Sequence, residues 1–172
     1  GARRLITSLR DMGYSFSGAI ADLVDNSISA GATRVYLNIH ALEGTAPPHI
    51  VVADNGKGMN RAELIEAMRF GTERRYGLQE LGKYGLGLKT ASLSQCEKLT
   101  VLSRTKASRG GRLQKVNIVS WDLEKIQRSN SWCLSELNRN EMMPWEEEVT
   151  DHRVLETHGT IILWQGLDEV HA

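Results

Sequence analysis

Little in this sequence points outward. Lysine and arginine number 21 and aspartate and glutamate 21, so no surplus of either sign calls for nucleic acid or an acidic partner; only a local basic patch is left open. Two cysteines, Cys96 and Cys133, stand far apart and outside any C-x-x-C pair, which argues against a disulfide framework and fits free thiols in a reducing cytoplasm. No apolar run approaches the roughly 20 residues needed to cross a bilayer, no basic-plus-apolar leader opens the chain, and no repeat or low-complexity tract divides it. The expected location is therefore cytoplasmic, with no membrane contact. A length of 172 residues suits one domain with a sizeable core. The abrupt stop at Val170-His171-Ala172, just after strand-like sequence, makes residues 1–172 read as a single domain in the N-terminal part of a longer protein.

Residues 4–10 fit a short helix or arm. Ser15 and Ser17 are N-cap candidates for a helix over 18–30, where Ala19, Ile20, Leu23, Val24 and Ile28 recur at helical spacing and should face a core; Gly31 suits the C′ position. Residues 33–40 alternate, with Val35, Leu37 and Ile39 on one face of a half-buried strand. A short strand over 49–53 runs into the sharp turn Asp54-Asn55-Gly56-Lys57-Gly58-Met59, and Asn60 caps a helix over 61–68 with Glu63 at capping-box spacing. Residues 70–81 are polar and without periodicity, as in a mobile surface segment. A small-residue helix over 88–94, a strand over 98–103, a basic turn at Ser108-Arg109-Gly110-Gly111 and a hairpin partner over 112–122 come next. The stretch 123–154 is mixed, with one short helix at 123–128, and 161–164 forms a last buried strand. Helices interleaved with a strand-rich second half imply an α+β two-layer sandwich with a mixed sheet, not a doubly wound parallel one.

Four pieces of this chain can carry chemistry. Asp22 and Asn26, four apart, share a helix face and set one carboxylate beside one neutral oxygen ligand, a set that suits Mg²⁺ held mainly by waters and phosphate, or simply a solvated face. Asp54 at a strand end, followed by two glycines, is a tight turn or an acceptor for an adenine amino group; carboxylates at calcium-loop spacing do not follow it. The run Gly82-Lys83-Tyr84-Gly85-Leu86-Gly87-Leu88-Lys89-Thr90 leads glycines into a helix N-terminus, whose free N–H groups attract phosphate. It lacks the Walker A spacing and the βαβ setting of a dinucleotide fingerprint. Gly159-Thr160 places a hydroxyl at the start of the last strand, within reach of a base directly or through water.

In order and spacing these four resemble the GHKL superfamily of ATP-binding domains, which includes DNA gyrase, heat-shock-type chaperones, histidine kinases and MutL. Asp22-Leu23-Val24-Asp25-Asn26-Ser27 looks like the N box, Asp54 to Met59 like the D-x-G-x-G box, Gly82 to Lys89 like the G-x-x-G-x-G end of the lid, and Gly159-Thr160 like the late Gly-Thr. The likeness is greatest to MutL-like and MORC-like members, through Asn26-Ser27-Ile28-Ser29-Ala30-Gly31-Ala32 and Gly85-Leu86-Gly87-Leu88-Lys89. The resemblance implies a Bergerat-type ATP-binding fold, its mostly antiparallel sheet covered by helices on one face, with ATP and Mg²⁺ as ligands. It implies that Asn26 ligates the metal, Asp54 binds the adenine amino group with Thr160 assisting through water, and Gly56, Gly58 and Met59 shape the base pocket. Gly82, Lys83, Tyr84, Gly85, Leu86, Gly87, Leu88 and Lys89 would meet the phosphates, and a lid from about Gly71 and Thr72 to Tyr84 would close over the nucleotide.

This sequence departs from the family pattern where hydrolysing members carry the glutamate that orients the attacking water. Here the position is Asp22, one methylene shorter, and a misplacement of roughly 1 Å costs on the order of a hundredfold in rate. Ser29 also stands where an Asp is frequent. The expectation is a slow ATPase, Asp22 its catalytic base, in which ATP drives lid closure and homodimerisation as a conformational switch; Lys57, Arg74 and Arg75 are further phosphate contacts on offer. A switch module that binds nucleotide without hydrolysing it is the alternative. Phosphotransfer to a histidine is disfavoured, because no phosphoacceptor helix is recognisable and the five histidines are scattered. A downstream domain would carry any contact with nucleic acid.

Overall fold

Six strands form one sheet in the computed structural model of the chain: β1 (Val35–His40), β2 (His49–Asp54), β3 (Cys96–Arg104), β4 (Asn117–Asp122), β5 (Ser135–Leu137) and β6 (Gly159–Leu167). The described residues are 15–41, 44–69 and 86–167 with Arg4, Thr7, Ser8 and Asp11; for residues 86, 87, 89 and 90 only the backbone is described. The strand order is β1-β2-β6-β3-β4-β5, and every pairing among the described strands is antiparallel. The last strand in sequence thus lies in the middle of the sheet, which is why Ile161, Ile162, Leu163 and Trp164 are all buried.

Register turns the alternation along each strand into rows across the sheet. On one face, here the front, Ile50, Trp164, Leu99 and Trp121 line up, then Val52, Ile162, Val101 and Val119. Helices close over these rows: α1 (Phe16–Ser29), α2 (Arg61–Met68), α3 (Leu86–Leu93) and α4 (Leu123–Ser129). Their ends follow local chemistry. Ser15 accepts from Gly18 N at 3.0 Å, Asn60 from Glu63 N at 2.9 Å, and Asp122 from Glu124 N at 3.0 Å, each satisfying a helix donor that would otherwise lack a partner. Burying a tryptophan requires a partner for its indole N–H. Trp164 Nε1 donates to Ser92 Oγ and Trp121 Nε1 to the Met68 carbonyl, both at 2.8 Å, so each ring pins one helix end to the sheet.

The expected two-layer sandwich is what forms, and the longer helices sit on one face. The other face is covered too, by a segment that the sequence left mixed: a 3₁₀ turn (Arg139–Glu141), a short helix α5 (Pro144–Val149) and a second 3₁₀ turn (Arg153–Glu156). Met142, Val154 and Leu155 pack there on Val51, Ala53, Leu102, Ile118, Ile161 and Leu163. Glu146, only 3% exposed, reaches Lys98 Nζ at 3.2 Å and so ties α5 to the sheet.

Three local expectations change. The partner strand of β3 begins at Asn117 rather than at 112, and 105–116 is an open connection around the turn at Gly110 and Gly111. Leu37 and Ile39 lie on the helix-covered side but are 47% and 56% exposed, because β1 is the edge strand; their neighbours Val52 and Ile50 are buried. On α1, Ile28 faces out at 62% exposure and Ser27 takes the buried place. Among the described residues no helix is long and apolar enough to cross a membrane.

Candidate functional site

At one end of the front face the rows turn polar. Asp54 on β2 is opposite Thr160 on β6, and Thr160 is opposite Ser103 on β3. All three are buried, so each must find partners within the protein. Asp54 Oδ2 accepts from Ser27 Oγ at 2.8 Å and Oδ1 from Gly56 N at 2.9 Å. Ser103 Oγ accepts from Met59 N at 2.8 Å, lies 2.8 Å from Thr160 Oγ1, and donates to the Gly159 carbonyl at 3.2 Å. A carboxylate offers about four acceptor sites, so Asp54 keeps lone pairs for a ligand.

The turn after Asp54 is held from several sides. Asn55 Oδ1 accepts from Thr33 N and Arg34 N at 2.8 and 2.9 Å, while its Nδ2 donates to Thr33 Oγ1 at 2.8 Å, locking the turn to the start of β1. Lys57 N donates to the Ala30 carbonyl at 2.9 Å, tying the turn to the end of α1. His158 Nδ1 meets the Gly56 carbonyl at 2.5 Å. Two glycines are required sterically. Gly58 has φ +68°, and a Cβ there would lie 2.0 Å from the Arg104 carbonyl oxygen. A Cβ on Gly56 would lie 2.9 Å from Ala30 Cβ and 3.0 Å from Asp54 Oδ1.

Between this turn, α1, α2 and the sheet is a cavity of about 330 Å³. Leu23, Asn26, Ser27, Ser29 and Ala30 line it from the first helix side, Asp54, Lys57, Gly58 and Met59 from the turn, and Glu63 and Ala67 from α2. Leu88 from α3 and Thr160 and Ile162 from β6 complete it. Its walls are mainly apolar, with Asp54 and Thr160 as the polar floor, the arrangement that suits a flat heterocycle with a polar edge.

Of the residues singled out by sequence, the structure brings Asn26, Asp54, Gly58, Met59, Leu88 and Thr160 to this one cavity. Gly56 lies beside it, donating to Asp54. Asp22 is half-buried on α1 one turn before Asn26 and is not among the lining residues. Burial pushes its carboxyl above the ordinary range, and the Asp25 carboxylate adds to the rise. Leu86, Gly87 and Lys89 belong to the first turn of α3. Gly71, Thr72, Gly82, Lys83, Tyr84 and Gly85, and with them the expected lid, lie outside the described residues. Among the described residues no three His, Cys, Asp or Glu side chains group to hold a metal, so an ion here would draw on Asn26, water and a ligand's own oxygens.

Sequence reasoning passed over the functional weight of Ser27 and Ser103. A common signal marks both. Ala19, Leu23 and Ser27 are spaced by four along the buried stripe of α1, and Leu99, Val101 and Ser103 by two along the covered face of β3. In each case a hydroxyl occupies a position where the pattern calls for an apolar side chain, and burying it unpaired would be unfavourable.

The family model described as histidine kinase-, DNA gyrase B-, and HSP90-like ATPase matches residues 14–160. Protein MICRORCHIDIA 4 of Arabidopsis thaliana is 26% identical over 151 residues, covering 77% of this chain and 19% of that protein. ATPase MORC2B of Mus musculus is 34% identical over 79 residues, 44% of this chain and 8% of the relative. DNA mismatch repair protein MutL of Shewanella amazonensis is 37% identical over 94 residues, 52% of this chain and 14% of the relative. The aligned part of the chain thus spans less than a fifth of the length of each of these relatives.

Proposed function

Because this chain belongs to the histidine kinase-, DNA gyrase B- and HSP90-like ATPase family, we propose that its cavity binds ATP with Mg²⁺ and that it hydrolyses the nucleotide slowly, as the switch within a longer protein. The observation that carries the reading is Asp54: a buried carboxylate on the cavity floor, each oxygen already fixed by one donor, with Thr160 beside it. Ser27 and Gly56 N hold the carboxylate in one orientation, so it is set to accept from the amino group of adenine. Gly58 and Met59 bound the space for the base, and Leu88 and Ile162 give it apolar walls. The carboxamide of Asn26, at the cavity, is the natural oxygen ligand for Mg²⁺ bound to the triphosphate, which would neutralise developing charge at the phosphates. Gly82 to Lys89 would supply backbone N–H groups and a cation to that same end, and residues 71–84 a lid whose closure orders a surface for a second copy.

For hydrolysis, Asp22 is the base in this reading. Its raised affinity for a proton suits it to take one from water. Its place outside the cavity lining, on a side chain shorter than glutamate, favours a slow reaction and supports a second reading, a switch that binds nucleotide without turning it over. Phosphate release from wild type, Asp22→Ala and Asp22→Glu, with binding of a fluorescent ATP analogue to each and to Asp54→Ala, separates these. The expected result is slow release by wild type, a loss of about a hundredfold in Asp22→Ala, and release at or above wild type in Asp22→Glu. Release equal to the buffer blank in all three, with ATP still bound, removes Asp22 from catalysis and leaves the switch. Undiminished binding by Asp54→Ala removes the pocket assignment.

A further inference from the structure

We propose that the back of the sheet carries an interface of its own, on which two copies of this chain meet about a two-fold axis. The basic connection 105–116 of each copy lies against the acidic surface around α5 of the other. The proposal goes beyond the nucleotide reading and does not depend on it.

The chain is neutral as a whole, but on this face its charge is sorted. The connection between β3 and β4 carries Lys106, Arg109, Arg112 and Lys115 and no acid. Residues 141–151 carry five acids and no Lys or Arg. One of the five, Glu146, is buried on Lys98, whereas Glu147, Glu148 and Asp151 are exposed. Two hollows join the regions. One, of about 380 Å³, reaches from Leu113 and Val116 past Arg139 to Asp151. The other, of about 470 Å³, reaches from Arg139 and Asp151 to Pro144 and Glu148. Because Arg139 and Asp151 line both, the two form one groove with a basic bank and an acidic bank.

Opposite charges this near would ordinarily pair within the molecule. Among the described residues Lys106, Arg109, Arg112, Glu147, Glu148 and Asp151 enter no ion pair. Their charges stay available, and a patch with one sign beside the other is its own complement. A half-turn about an axis between the banks sets each basic connection over the other copy's α5. Each bank also offers an exposed apolar side chain for the same half-turn to cover, Leu113 at 53% and Met143 at 56% exposure. A nucleic acid would suit the basic bank alone, and its phosphates would be repelled by Glu147, Glu148 and Asp151 across the groove. A second copy meets attraction on both banks.

Sedimentation of the intact chain tests this, without nucleotide so that association through a closed lid does not contribute. Wild type should dimerise at low ionic strength, with a Kd that rises about tenfold or more between about 50 and about 500 mM salt. Arg109→Glu with Arg112→Glu makes both banks acidic, and Glu148→Lys with Asp151→Lys makes both basic. All four positions are exposed, and Glu148 is in the last turn of α5, where a cation suits the helix dipole, so both variants should melt like wild type. Each alone should dimerise about tenfold more weakly or worse. An equimolar mixture should recover a heterodimer within about threefold of the wild-type affinity, because each bank then faces its opposite. Where a pair gives no cooperative melt, Arg112→Glu mixed with Asp151→Lys carries the comparison under the same criterion. Wild type that stays monomeric up to about 100 μM at low salt, variants that dimerise as wild type does, or a mixture that stays monomeric overturns the proposal. So does an Arg109→Glu, Arg112→Glu variant that loses affinity for a short DNA duplex while every sample stays monomeric, which would make the basic bank a nucleic-acid contact. Each of these results leaves the nucleotide reading standing, since ATP titration of the same samples tests it separately.

Discussion

The two faces of the sheet share six strands, and each carries one polar row, at opposite ends. On the front, Asp54, Thr160 and Ser103 form a row at one end, and the far end is Ile50, Trp164, Leu99 and Trp121. On the back, Ala53, Ile161, Leu102 and Ile118 lie at the cavity end, and His49, Gln165 and Lys98 at the other. β6 shows the device in one strand, with Thr160 near its start facing forward and Gln165 near its end facing back. The two polar ends are then used differently. The front row is satisfied by Ser27, by the backbone of Gly56, Met59 and Gly159, and by the contact between Ser103 and Thr160, and it leaves space in front of it. The back row is capped: Trp145 of α5 packs against His49 at 5.3 Å between ring centres, and Glu146 pairs with Lys98. One end opens on a cavity and the other is anchored, so changes in the back row should move stability alone.

The largest expected effect joins the two properties. Gly58→Ala drives a Cβ into the Arg104 carbonyl from a left-handed backbone, and should cost about 3 kcal/mol or more while also distorting the cavity that it lines. Denaturant melts and ATP titration of the same sample check it; a wild-type midpoint would mean that the turn relaxes freely. Next is Lys98→Met, which strands the buried Glu146 carboxylate. Lys98 is partly solvent-exposed, so the expected loss is about 2 kcal/mol rather than the full value for a buried pair, with ATP affinity unchanged. A loss of affinity there would break the division between the faces.

The smallest effect is in pH, where the faces should respond with opposite sign. Burial first, then Arg153, lowers the His152 pKa on the back, so the folded state holds that proton less tightly than the unfolded chain does. The contribution of its neutral ring is complete above 6.5 and is lost as pH falls through the lowered value. Asp22 on the front is raised above 3.8, so its burial penalty is present at neutral pH and is relieved as pH falls through the raised value. Denaturant midpoints across acid pH should therefore show a fall that His152→Gln flattens. NMR titration of Asp22 should show a midpoint that drops in Asp25→Asn. An unchanged fall in His152→Gln would clear His152 of the effect.

Much of this was readable from residues alone, for local reasons. Ser15 and Asn60 cap their helices because a hydroxyl or carboxamide oxygen just before an apolar-periodic run has a free helix N–H within reach. The strand ending in Asp54 and the late Gly-Thr were visible as short apolar runs meeting turn chemistry. Register was not. That Ser103 stands opposite Thr160, 57 positions later, depends on which strand takes the middle of the sheet, and no local pattern states that. Edge position was equally hidden, so Leu37 and Ile39 read as one face of a half-buried strand, whereas both are exposed. The cover on the back consists of turns of three to six residues, too short for a period to show, and its anchor is a Glu that reads as surface until Lys98 is placed beneath it.

The contact between Gly56 and Ala30 has a consequence for how this chain can drift over generations. The missing Cβ of one and the methyl of the other compete for the same 2.9 Å, and a hydrogen bond from Lys57 N to the Ala30 carbonyl keeps the two backbones from separating. Gly56 cannot gain a Cβ while Ala30 stays where it is. Residues 26 sites apart are therefore tied in descent: a lineage that enlarges Gly56 must first loosen the helix end or the turn, and with it the aim of Asp54.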